Sequence, residues 1–163
     1  MEKTIWDNIT ELLGNYMILS AAIAWFVAQI VKVIDKLIRE KKLDLKLMVK
    51  NGGMPSGHSA TIIAASTAAA ISYGLNSGVF AICIIIAIVI MTDAVGVRWQ
   101  TGQQSKVINI LRRGKEEGSD IKLKEVMGHT VAEIVVGSVV GFAVAVAYAA
   151  IYYAATGHLP IMA

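Results

Sequence analysis

The sequence predicts an all-α, polytopic membrane helix bundle with about four transmembrane helices plus short amphipathic helices. Its 163 residues are 56% hydrophobic, with a mean hydropathy of +0.62, too apolar for a soluble domain of this length. Four segments, about Tyr16 to Ile34, Gly57 to Gly74, Gly78 to Val97 and Ala132 to Ala154, approach the ~20 apolar residues that a hydrocarbon layer requires at ~1.5 Å each. The run Ala81-Ile82-Cys83-Ile84-Ile85-Ile86-Ala87-Ile88-Val89-Ile90 is apolar on every face, which leaves no stripe for water and argues against a soluble bundle.

Thr4 to Leu13 sets Ile5, Ile9, Leu12 and Leu13 on one face beside Trp6, the pattern of a short helix lying at the outer interface. Segment one continues through Asp35, Lys36, Leu37 and Arg39 before a loop toward Gly52. Segment two is rich in Ala and Ser and poor in large apolar residues. The turn Leu75-Asn76-Ser77 leads to segment three, which ends in Met91 to Arg98. The loop from Gln103 to Asp120 holds an amphipathic piece, Ser105 to Arg112. A further helix starts at Ile121 and becomes segment four, where Gly137 and Gly141 let helices pack closely inside the bundle. Without repeats or linkers, residues 1–163 form a single membrane-embedded domain.

Charge placement sets the orientation, because Lys and Arg collect in cytoplasmic loops. Lys36, Arg39, Lys41, Lys42, Lys46 and Lys50 lie between segments one and two, and Arg98, Lys106, Arg112, Arg113, Lys115, Lys122 and Lys124 lie at and after the end of segment three. Both termini are therefore placed outside and both long loops in the cytoplasm. This sorting accounts for the net charge of +3, so nucleic acid is not needed as a partner, and the basic loops attract anionic lipid head groups. Met1 to Asn15 is mildly acidic, unlike the n-region of a cleaved signal peptide. Cys83 is the single cysteine, which excludes an intrachain disulfide and argues against a thiolate metal site.

Gly52-Gly53-Met54-Pro55-Ser56-Gly57-His58-Ser59 joins a loose glycine turn to the start of segment two. Pro55 fits just before or at a helix start, Ser56 caps it, and Gly57 admits an anion to the free amides at the positive end of the helix dipole. Ionisable residues inside membrane segments are costly, and here they converge on one end: His58 opens segment two, Asp93 and Arg98 close segment three, and His129 with Glu133 enters segment four. On a helix, the four-residue spacing would let Glu133 hold His129 Nδ1 and leave Nε2 to attack. Read locally, a Gly/Pro/Ser turn containing a histidine and a helix-stabilising His/Glu pair remain alternatives. Gln29 and Lys32 share a face of segment one and are read as support for the cluster.

Pro55-Ser56-Gly57-His58, Asp93-Ala94-Val95-Gly96-Val97-Arg98 and Gly128-His129-Thr130 through Glu133 resemble, in content and order, the type 2 phosphatidic acid phosphatase superfamily. They are most similar to its small divergent bacterial and plant branch, described as acid phosphatase/vanadium-dependent haloperoxidase-related. The wider patterns are K-x-x-x-x-x-x-R-P, P-S-G-H and S-R-x-x-x-x-x-H-x-x-x-D. Only the second is intact: no Arg-Pro pair precedes Gly52, Leu123 stands six before His129, and Glu133 replaces the terminal Asp. The resemblance implies hydrolysis of a lipid or isoprenoid phosphate without metal or cofactor. His129 would form a phosphohistidine and His58 would act as acid, while Arg98, Lys50, Lys124 and the amides near Ser56 and Gly57 bind phosphate and Asp93 supports the site. With the charge sorting it implies a multi-pass protein of the bacterial inner (cell) membrane whose partners are the bilayer and its substrate; a homo-oligomer is admitted. A catalytically impaired lipid-phosphate binder and a small transporter are the alternatives.

Overall fold

The computed structural model describes residues 4–48, 52–112, 123, 125 and 128–161. Every regular element among them is helical: α1 Ile5–Leu13, α2 Tyr16–Glu40, a 3₁₀ turn at Leu45–Met48, α3 Gly57–Tyr73, α4 Gly78–Val95, α5 Val97–Arg112 and α6 Val131–Thr156. Side-chain caps explain several starts. Thr4 and Asp7 form a reciprocal capping box before α1, Asn15 caps α2, Ser56 caps α3, Ser77 caps α4, and Thr130 pairs with Glu133 before α6.

The centre of the bundle is α3, which packs against α2, α4 and α6, while α2 also contacts α6. The core between them is built from small residues. Ala24, Ala28, Ala60, Ala64 and Ala145 form one cluster, and Tyr16, Ala68 and Ala149 another. The Tyr16 hydroxyl donates to the Ala145 carbonyl at 2.9 Å. Large apolar side chains such as Ile82, Ile85, Val89, Val139 and Phe142 point outward, the distribution expected where lipid replaces water and close backbone approach drives packing.

Among the described residues, three helical stretches, Tyr16–Glu40, Gly78–Arg112 and Val131–Thr156, are long and apolar enough to cross a membrane. The remaining expected segment, segment two, is α3, which has 17 residues, about 25 Å of helix. It lies among the other helices, so its Ala and Ser residues face protein instead of hydrocarbon.

Two boundaries differ from the sequence reading. The chain does not enter a loop after segment three: α5 begins at Val97, across a distorted Gly96 whose amide still donates to the Thr92 carbonyl at 2.9 Å. Nor is segment four preceded by a helix at the described positions, since Leu123, Glu125 and Gly128 to Thr130 are non-helical. The Thr130 cap begins α6 afresh, which places His129 outside the helix.

Candidate functional site

Two glycines with positive φ, Gly52 at 91° and Gly53 at 89°, turn the chain toward α3 in a conformation that side chains with a Cβ resist. Pro55 and Ser56 are buried. Ser56 Oγ accepts from the Ser59 amide at 3.3 Å and the Ser59 hydroxyl at 3.0 Å, and the Ser56 amide donates to the Glu133 carbonyl at 3.0 Å. That last bond ties the starts of α3 and α6 together. A Cβ on Gly137 would strike the Ser56 backbone and one on Gly141 the Ala60 carbonyl, so the two glycines serve internal packing.

The outcome is a histidine pair. His58 in the first turn of α3 and His129 just before α6 have ring centroids 5.9 Å apart with planes at 85°. At that spacing the rings meet edge to face, which leaves no room for a ligand group between them and presents a shared rim to the outside. His58 is exposed, whereas His129 is only 7% exposed and its Nδ1 is buried with no hydrogen-bond partner among the described residues. Burial is the main influence that pushes the His129 imidazole below the ordinary histidine range; Glu133 opposes it, and His58, Lys32 and Arg98 reinforce it. His129 is therefore neutral near pH 7, with Nε2 as the ring nitrogen left to the site.

Glu133 does not hold that ring. Its carboxylate accepts from the Thr130 amide at 2.9 Å, while Thr130 Oγ1 accepts from the Glu133 amide at 3.2 Å. With His129 ahead of the N-cap, the expected one-face geometry does not apply, and the capping box takes the carboxylate instead. The Ser56 amide likewise is committed to Glu133 and is no phosphate donor. The amides of Gly57 and His58 have no partner among the described residues.

Arg98 Nε pairs with Asp93 Oδ2 at 2.6 Å, and the Arg98 side chain is 57% exposed. Lys50 and Lys124 lie outside the described residues. The cation that sequence reasoning ranked too low is Lys32 on α2, only 5% exposed and without a hydrogen bond or ion pair among the described residues. Both imidazoles and Glu133 lie within its electrostatic reach, and its stem packs 3.5 Å from where a Cβ on Gly53 would sit. Beside it, Gln29 is also buried and its Oε1 lacks a partner among the described residues. A sequence signal was present: Lys32 stands seven before Arg39, the K-x-x-x-x-x-x-R part of the first pattern without its proline. Arg39 itself is held by Asp35 at 2.8 Å on the helix surface.

The site thus gathers two imidazoles, a buried ammonium, an arginine and free helix-start amides. The backbone places His129: its amide donates to the Ala94 carbonyl at 3.1 Å, and a Cβ on Gly128 would collide with Ala94 and Trp99. Among the described residues no group of His, Cys, Asp and Glu could hold a metal ion.

The profile of the Divergent PAP2 family matches residues 13–144, a range that contains all of these groups. An uncharacterized membrane protein of Bacillus subtilis (strain 168), YuiD, is 41% identical over 145 residues, covering 80% of this chain and 92% of the relative. No solved structure matches. The profile match over most of the length, with intact Pro55 to His58 and the His58–His129 pair, makes this chain a membrane protein of the Divergent PAP2 family.

Proposed function

We propose that the protein is an integral membrane phosphatase that hydrolyses a lipid or isoprenoid phosphomonoester at the cytoplasmic side of the bacterial inner membrane. The observation that carries this is the meeting of His58 and His129 at 5.9 Å from distant parts of the chain. Neutral His129 attacks phosphorus through Nε2, the P–O bond to the alcohol breaks, and His58 gives its proton to the departing oxygen. Water then attacks the phosphohistidine, passes a proton to His58, and releases inorganic phosphate and His129. Such proton transfers are worth roughly 10² to 10⁴-fold. The charge on the equatorial oxygens is met by Lys32, Arg98 and the Gly57 and His58 amides, the kind of contribution that is usually larger. An amphiphilic substrate suits a site at the end of membrane helices, since its tail stays in lipid while its head group enters.

The test is phosphate release from a panel of lipid phosphates by purified protein in nanodiscs, with vanadate inhibition and trapping of an acid-labile phosphoenzyme. Wild type should turn over and His129→Ala should not. Turnover undiminished in His129→Ala excludes this mechanism. A second reading, a lipid-phosphate-binding protein without turnover, is favoured by the commitment of Glu133 to its cap and of the Ser56 amide to Glu133. It predicts saturable vanadate binding with no phosphate release from any member of the panel.

A further inference from the structure

His129 lacks the carboxylate that would orient it, so its placement must come from elsewhere. Hydrogen bonds hold the chain here at two described places. Near the site, the His129 amide is bonded to the Ala94 carbonyl where α4 ends. Farther out, Asn109 on α5, itself buried, grips the same segment with its whole amide: Nδ2 donates to the Leu123 carbonyl at 2.9 Å and to Glu125 Oε1 at 2.8 Å, and Oδ1 accepts from the Leu123 amide at 3.0 Å. A primary amide satisfying both backbone groups of one residue and a neighbouring carboxylate is a specific arrangement. Most polar residues of α5 are instead exposed or turned to their own helix, as Thr101 and Ser105 are through hydroxyl bonds to carbonyls one turn back.

We infer that Asn109 is a positioning residue: by holding Leu123 and Glu125, six and four residues before His129, it helps to set the imidazole against His58. Its catalytic consequence rests on the phosphatase reading, while its structural consequence does not. With that anchor gone, His129 keeps its backbone amide bond to the Ala94 carbonyl and its attachment to the Thr130 cap, while its ring samples positions off the His58 rim. A displacement of about 1 Å at a reacting group costs up to ~10²-fold in rate.

The test uses the full-length protein in nanodiscs and two readouts. The first is carbethoxylation by diethyl pyrocarbonate, resolved by mass spectrometry at each of the three histidines, so that His58 and His158 serve as internal references. Asn109→Ala should raise His129 labelling several-fold and leave His158 unchanged. The second is kinetics, where the same change should lower kcat roughly 10- to 100-fold with KM within about twofold. Asn109→Asp keeps the acceptor for the Leu123 amide but loses both donations and sets two carboxylates together, so it should behave like Asn109→Ala. Adding Glu125→Gln supplies an amide donor across the same contact and should restore both readouts toward wild type. Unchanged His129 labelling in both Asn109 variants overturns the inference. So does labelling that rises at all three histidines together and is not reversed by the Glu125→Gln partner change. Raised labelling at His129, in a protein that releases no phosphate even as wild type, upholds the anchor and removes the phosphatase reading alone.

Discussion

Lys32→Met separates the two things a buried ammonium can do. Lys32 is 5% exposed and has no anionic partner within ion-pair distance among the described residues, so the folded protein carries the desolvation cost of that charge without a compensating bond. Methionine matches the stem, which lies against Gly53, and removes the charge. Replacing buried ionic groups by apolar ones of similar volume is commonly neutral or stabilising, by about 1 to 4 kcal/mol. The thermal midpoint in detergent should hold or rise. Catalysis should move the other way, because a charge-assisted hydrogen bond to a phosphoryl oxygen is worth about 1.5 to 3 kcal/mol, which corresponds to a loss of roughly 10- to 150-fold in kcat/KM. The assay is phosphate release from a lipid phosphate, paired with a melt of the same sample. A lowered midpoint with unchanged kcat/KM would refute the reasoning, since it would mean that the ammonium supports the fold and not the anion.

Glu133→Gln preserves the capping box, because Gln also accepts from the Thr130 amide. It removes a charge that favours protonated His129; the imidazole's pKa should therefore fall further, and the acid limb of kcat/KM should move to lower pH with the plateau nearly kept. A large plateau loss would show that the carboxylate holds His129 after all. Gly141→Ala drives a Cβ into the Ala60 backbone and should lower stability by about 1 to 3 kcal/mol or more, whereas Gly78→Ala, with nothing within 4 Å, should leave the melt unchanged. Arg98→Ala breaks an exposed pair with Asp93 and should shift stability by under ~1 kcal/mol while lowering kcat/KM about tenfold.

Apolar length and charge sorting made the helices legible, and P-S-G-H made the α3 start legible, because each depends on residues adjacent in sequence. The start of α6 was misread for a physical reason: Thr130 and Glu133 carry a cap signal, but His129-x-x-x-Glu133 carries a competing helix-face signal, and only the backbone decides between them. Lys32 was visible as a charge within segment one, yet its burial depends on α3 and the Gly53 turn closing over it. Asn109 gave no sign at all. Two of its bonds go to the backbone of Leu123, fourteen residues away, and backbone groups leave no trace in a sequence; the third goes to Glu125, which reads there as one more loop charge.

The small-residue core and the chemistry are linked. Because Gly137 and Gly141 let α6 meet α3 backbone to backbone, the Ser56 amide reaches the Glu133 carbonyl and the two helix starts share one depth. Their positive dipole ends therefore face the same rim as the imidazoles. Two helix starts, one buried ammonium and one arginine are a modest positive set, opposed by Asp93 and Glu133. Under the proposed mechanism a neutral His129 suits that balance, since a protonated imidazole could not attack phosphorus. The same bond joins the two helix starts, so a substitution that separates them, such as Gly137→Ala, should cost activity even where the histidines are intact. Loss of phosphate release in Gly137→Ala without loss of folded protein is the outcome this coupling requires.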